Sequence, residues 1–234
     1  MTNTLASPTM GFQLFDRSGQ SSPTGGQTPV WIASTDAGLI FRGDPVMTSS
    51  NGGTNNSGAY ITSLNTVSSI TASTNGWLVR GIFQGCFQYQ PAAQRVVWSN
   101  FYNGTVTGST GDVKAYIIDD PDALFLVQAS TKGAITSSMI GLNVGITFNT
   151  TTGNTLTGYS NVTVESCSNT ATALQFRLVD FYSAYAPGVG NGPVNYNSSV
   201  STPLVNGTDN SNVANMVVVR LNNSDRMNLT ARSS

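Results

Sequence analysis

Short apolar runs, broken at close intervals by Gly, Asn, Ser, Thr or Pro, set the pattern of this chain. They fall at 30–33, 39–46, 60–64, 77–83, 87–89, 96–101, 113–118 and 124–129, and again at 144–148, 161–165, 173–180 and 214–221. Each has the length of a strand, most are rich in β-branched or aromatic residues, and the spacers carry turn formers. Many short strands with turn signals between them predict an all-β fold, a β-barrel or β-sandwich of antiparallel strands. In Gln175-Phe-Arg-Leu-Val-Asp-Phe181 the alternation is partly visible: Phe176 and Leu178 share one face, Gln175 and Arg177 the other. That is the mark of a half-buried strand. The run at 39–46 is expected to enter a Gly-Asp-Pro turn.

Helical signals are thin. Asp120-Pro121-Asp122 could cap a helix with Pro at its first position and an acid in its first turn. The Leu-Phe-Leu-Val that follows is β-prone, and a tight turn between two strands is the expected reading.

Three segments depart from the strand pattern, and one sets a domain boundary. Residues 1–29 are rich in Ser, Thr, Pro, Gly and Gln, with Met10, Phe12, Leu14 and Phe15 embedded among them. They are expected to form an extended N-terminal arm carrying a small hydrophobic plug, with residues 30–234 as a single β-rich domain. Residues 48–59 are expected to be a low-complexity loop. A Gly/Asn/Pro-rich excursion at 183–212 is expected to serve an interface or to move.

Composition narrows the function. Only 9% of positions are charged, against roughly a quarter in an ordinary soluble domain. Ser, Thr and Asn fill 80 of 234 positions, Glu occurs once, at Glu165, and His never. Without His, a Ser-His-Asp or Cys-His nucleophile and a His-ligated metal are impossible. Ten cations scattered through a chain of net charge −1 leave no basic face for nucleic acid. The longest apolar stretches run to about five residues, too short to span a bilayer. The first 14 residues show neither a basic start nor an apolar run, so no signal peptide is expected, and the eight Asn-x-Ser/Thr sequons are read as composition rather than glycosylation.

The candidate chemistry is sparse. Cys86 and Cys167 lack CxxC company and are expected to be buried thiols rather than a disulfide. Asp119, Asp120 and Asp122 form the one acidic cluster, but it lacks the spaced ligands and Gly of a calcium loop, so a polar turn is expected. Paired carboxylates for glycan hydrolysis have no aromatic-lined context to single them out. Gly188, Gly190 and Gly192 lack the strand–helix setting and Lys of a phosphate loop. Arg42-Gly43-Asp44 spells an integrin-binding tripeptide, and Asp44-Pro45 accounts for it as a turn. Trp31, Trp77 and Trp98 could stack on sugars, but large aromatics in β-sandwiches are expected in the core. No cofactor, metal site or catalytic group is expected.

Five segments, taken in order, carry a resemblance: Phe41-x-Gly-Asp-Pro-Val46, Gly81-Ile-Phe-Gln-Gly-Cys-Phe-Gln-Tyr89, Ala115-Tyr-Ile-Ile-Asp-Asp-Pro-Asp-Ala-Leu-Phe-Leu-Val-Gln128, Leu174-Gln-Phe-Arg-Leu-Val-Asp180 and Val217-Val-Val-Arg-Leu-Asn222. Together they resemble the capsid decoration, or cement, proteins of tailed bacteriophages, over about residues 39–222. The resemblance implies a non-enzymatic virion structural protein, made in the host cytoplasm and sited on the outer capsid surface. Its implied partners are the major capsid protein lattice and further copies of itself, as a dimer or trimer, with no nucleic acid or membrane. On that reading Met10, Phe12, Leu14 and Phe15 lie across the capsid or an adjacent subunit. The loops at 48–58 and 183–212 are more extended than the resemblance implies. The competing expectation is a receptor- or glycan-binding β module of a phage fibre or spike.

Overall fold

A computed structural model describes residues 10–17, 26–49, 60–63, 78–104, 111–130, 135–147, 153–169, 174–181 and 216–224. Sixteen strands run through them: β1 (Gln13–Arg17), β2 (Thr28–Ile32), β3 (Leu39–Phe41), β4 (Pro45–Thr48), β5 (Ile61–Ser63), β6 (Gly81–Gln90), β7 (Arg95–Ser99), β8 (Phe101–Asn103), β9 (Val113–Ile118), β10 (Ala123–Gln128), β11 (Asn143–Thr147), β12 (Gly153–Asn154), β13 (Tyr159–Ser160), β14 (Thr163–Asn169), β15 (Phe176–Phe181) and β16 (Met216–Leu221). Among the described residues there is no α-helix, only short 3-10 turns at Pro91–Ala93 and Ser137–Met139.

The strands form two six-stranded sheets and two small pairs. The first sheet has the order β1-β10-β16-β15-β11-β14, and the second β2-β9-β6-β4-β5 with β7 also on β6. β3 pairs with β8 and β12 with β13. The ten residues of β6 serve two partners in succession: its start pairs with β4 and its end with β7. All of these ladders are antiparallel. Of the two expected architectures the fold is the sandwich-like one. The first sheet curls until Val164 of β14 bridges Ala129, just past β10, but it forms no closed barrel.

Alternation builds two adjoining cores. β10 turns Ala123, Phe125 and Val127 inward, and these pack with Val217, Val219 and Leu221 of β16, Phe176 and Leu178 of β15, and Val144 and Ile146 of β11. The second core joins Val30 and Ile32 of β2, Phe83 and Cys86 of β6, and Val113, Ala115 and Ile117 of β9 to Ile40 of β3 and Tyr102 of β8. Each fully buried aliphatic or aromatic side chain contributes about 1.5–3 kcal/mol by leaving water. The passage from sheet to sheet is the turn expected at Asp119–Asp122. Asp120 accepts the Asp122 N–H at 3.0 Å on its side chain and the Ala123 N–H at 3.1 Å on its carbonyl, so β9 ends and β10 starts without a helix.

The N-terminal segment differs from the expected arm. Residues 13–17 are strand β1 on the edge of the first sheet, and the boundary at 29/30 falls inside β2. The reason is Phe12. Its ring is fully buried, stacked on Phe176 at 4.3 Å and edge-on to Phe125 at 6.4 Å, and its N–H donates to Gly43 O at 3.0 Å. The apolar plug therefore fills the chain's own core. Gly11 makes the approach possible: its φ is +62°, and a Cβ there would lie 2.6 Å from the Ser160 Cβ.

Candidate interaction surface

The titratable groups come first, because they decide whether chemistry competes with contact as a reading. Asp44 is buried in the turn between β3 and β4, where its Oδ2 accepts the Phe41 N–H at 2.7 Å and its Oδ1 the Ser160 hydroxyl at 2.5 Å. Burial pushes its pKa up to about 7, against the opposing pull of those two hydrogen bonds. The same turn takes the Phe12 N–H on Gly43 O and exchanges bonds with Phe83 of β6 through Gly43 and Asp44. Asp44 thus sits at a knot joining β1, β3, β4, β6 and β13, closed to solvent. This burial removes the integrin-type reading of Arg42-Gly43-Asp44, since the carboxylate cannot reach a receptor.

The acidic cluster does not converge. Asp119 turns inward, where Thr28 donates to it at 2.7 Å and Arg80 approaches at 3.5 Å, while Asp120 shapes the turn. No group of three metal-ligating side chains occurs among the described residues. Cys86 is a free, buried thiol pushed up to about 12 by burial, which leaves it protonated and unreactive. The Cys167 side chain, Trp77, Gly188, Gly190, Gly192 and residues 183–212 lie outside the described residues.

The surface feature that stands out is the outer face of the second sheet. Strand register puts Trp31 (β2) opposite Lys114 (β9), Lys114 opposite Phe87 (β6), and Phe87 opposite Trp98 (β7). Because side chains alternate, this four-strand row lies on the face away from Val30, Ala115 and Cys86. Trp31 and Phe87 are each 42% exposed, Trp98 44% and Val96 61%. Tyr116 completes the group, 6.0 Å from Phe87 and 5.7 Å from Trp98 between ring centroids, with the Lys114 ammonium over its ring at 5.7 Å. Phe87 and Trp98 meet edge to face at 5.3 Å and 76°.

The local sequence explains this face. The β6–β7 hairpin reads Phe-Gln-Tyr-Gln, then Pro-Ala-Ala-Gln, then Arg-Val-Val-Trp, so the outward positions of both arms are apolar or aromatic. Gln94, at φ 50°, closes the tip. Gly85, in a bulge of β6 against β9, has φ +148°, and a Cβ there would lie 2.4 Å from the Trp98 ring. The ring lies over bare backbone. Two-fifths of three large rings leaves roughly 200–300 Å² of apolar surface open on one face, approaching the largest patch of an ordinary monomer.

The expectation that Trp31 and Trp98 are core residues is therefore corrected. Of the four residues expected to make contacts, Phe12 is fully buried and Leu14 packs against the first core, while Met10 and Phe15 are 45% and 41% exposed. The structure does not gather the four into one surface. The Gln/aromatic alternation of 87–90 and the β-branched–aromatic run of 96–98 were the signals that could have marked the outer face. Comparison of the chain with protein-family models, with curated proteins and with solved structures finds no match.

Proposed function

We propose that the chain is a non-enzymatic structural protein that decorates and stabilises the outer surface of a bacteriophage capsid, binding the major capsid protein lattice through the outer face of its second sheet. One observation carries the contact: Trp31, Phe87, Val96 and Trp98 stand open on one sheet face whose nearest charge, Lys114, is engaged with a ring. Aromatic residues on a rigid strand scaffold lose little side-chain entropy when a partner covers them, and they dominate the energy of protein contacts. The capsid as partner comes from the order of the five sequence segments. Many copies bound over one shell need only modest energy each, and low charge limits repulsion between neighbours.

The tilt between Phe87, Trp98 and Tyr116 favours a shaped protein partner over the flat rows on which sugar rings stack. The test is a cryo-electron microscopy map of the particle that carries this protein. Density for many copies on the outer shell, with the second sheet turned toward the lattice, is the expected result. A few copies on a fibre or spike, or none on the shell, would overturn the reading in favour of a receptor-binding module.

A further inference from the structure

The edges of the two large sheets are not alike. Natural sheets blunt their edges with short strands, bulges, charges or Pro, because an open ladder recruits other strands. β1 carries a bulge between Leu14 and Asp16, and β14 carries one opposite Val144 and Ile146 and bridges to Ala129. β2 contains Pro29, and β5 is three residues long. β7 carries one such device, the charge of Arg95 at its first residue, and none along the rest of its length. It runs Arg95-Val-Val-Trp-Ser99 in unbroken register with β6, without Pro, Lys or an acid, and among the described residues it has no strand on its other side.

We propose that β7 pairs with β7 of a second copy of this chain, antiparallel about a two-fold axis at Val97, joining the two second sheets into one. The strand is complementary to itself. In the one register that uses its full length, Val97 faces Val97 of the second copy and Arg95 faces Ser99. Val96 then faces Trp98 in both directions. Aromatic against β-branched is a favourable cross-strand pair, and here it would cover the most exposed large apolar side chain of the hairpin, Val96 at 61%. The two Arg95 side chains would stand about 14 Å apart along the strands, beyond the Debye length of about 8 Å at physiological salt. Charge therefore does not oppose the pairing, and two-fold closure stops it at a dimer. The inference does not rest on the capsid reading. It concerns an edge rather than a face, and it holds in solution without a shell.

Sedimentation of the full chain over a concentration series tests it, with three variants. Wild type should show a concentration-dependent dimer. Val96→Lys, at an exposed position, should keep the wild-type far-ultraviolet circular dichroism and, at dilutions where both proteins are monomeric, the wild-type melting transition. It should dimerise at least about tenfold more weakly, because lysine guards an edge. Val97→Cys should form an intermolecular disulfide on mild oxidation, and Val96→Cys alone should not. A wild type that stays monomeric at its highest soluble concentration overturns the proposal, and one that pairs only on a shell makes the lattice the source of the added strand. A dimer unaffected by Val96→Lys, or a Val97→Cys variant that does not cross-link, overturns it as well.

Discussion

The two faces of the second sheet are made by the same strands and do opposite things. Inward, Val30, Phe83, Ala115 and Ile117 are at most 1% exposed, and outward, Trp31, Phe87 and Trp98 keep about two-fifths of their surface in water. One residue along each strand separates the two conditions. Hydrophobicity alone cannot tell them apart, since Phe83 and Phe87 are the same residue type on the same strand. What differs is cover: β3 and β8 close the inner face with Ile40 and Tyr102, and no described element lies over the outer one. A core aromatic should therefore be worth stability and an outer one worth contact.

The N-terminal segment gives the largest test of that contrast, because it holds both kinds within four residues. Phe12→Ala would open a cavity between Phe125 and Phe176 and should cost about 3–5 kcal/mol, seen as a large fall in the denaturant midpoint. Phe15→Ala, at 41% exposure, should change stability by under about 1 kcal/mol. Equal effects would show that Phe12 does not sit in the core. Deleting residues 1–29 removes Phe12, β1 and part of β2, so the loss of a function in that deletion would report unfolding rather than a lost arm.

Asp44 gives the next effect, on pH. Its folded-state pKa of about 7 lies above the unfolded value of 3.8, so the folded protein holds a proton that the unfolded chain has released. The stability this proton brings is fully present below about pH 4, declines as pH rises to about 7, and then levels off. Linkage sets the decline at about 4 kcal/mol. Asp44→Asn keeps the shape and neutrality of the protonated acid. It should flatten this part of the profile and be the more stable protein above pH 7. Denaturant unfolding at pH 4, 5.5 and 7.5 checks it, and a parallel decline in both proteins would place the pH dependence elsewhere.

Much of the fold could be read from the chain. β9 occupies the predicted 113–118, and β2, β3, β5, β10, β11 and β16 lie within a few residues of predicted runs, because β-branched residues between Gly and Asn leave little choice of structure. β4, by contrast, starts at Pro45, inside the Gly-Asp-Pro segment expected to be a turn. The runs at 77–83 and 87–89 were separated at Gly85, but the structure threads one strand through it. Gly there marks a bulge under the Trp98 ring, not a break. β1 was missed because Gln13, Asp16 and Arg17 dilute its alternation and its partner, β10, lies far along the chain. The exposed aromatic face was the least legible part. Exposure of Trp31 and Trp98 depends on which strands stack over a face, and periodicity within a strand does not carry that information.

The smallest stability effect, and the closest test of the contrast, lies in Trp98 itself. If the outer face is for contact, Trp98→Ala should shift unfolding by no more than about 1 kcal/mol, since the ring is 44% exposed and its lost neighbours are Phe87, Tyr116 and the backbone at Gly85. Shell binding measured by co-sedimentation should instead fall by about tenfold or more, the loss typical of an aromatic anchor. The inner-face variant Phe83→Ala should do the reverse, losing stability while leaving the binding of the remaining folded fraction near wild type. Stability and binding falling together in Trp98→Ala would mean that this ring holds the β6–β7 hairpin in place, and that the two faces are less independent than their exposure implies.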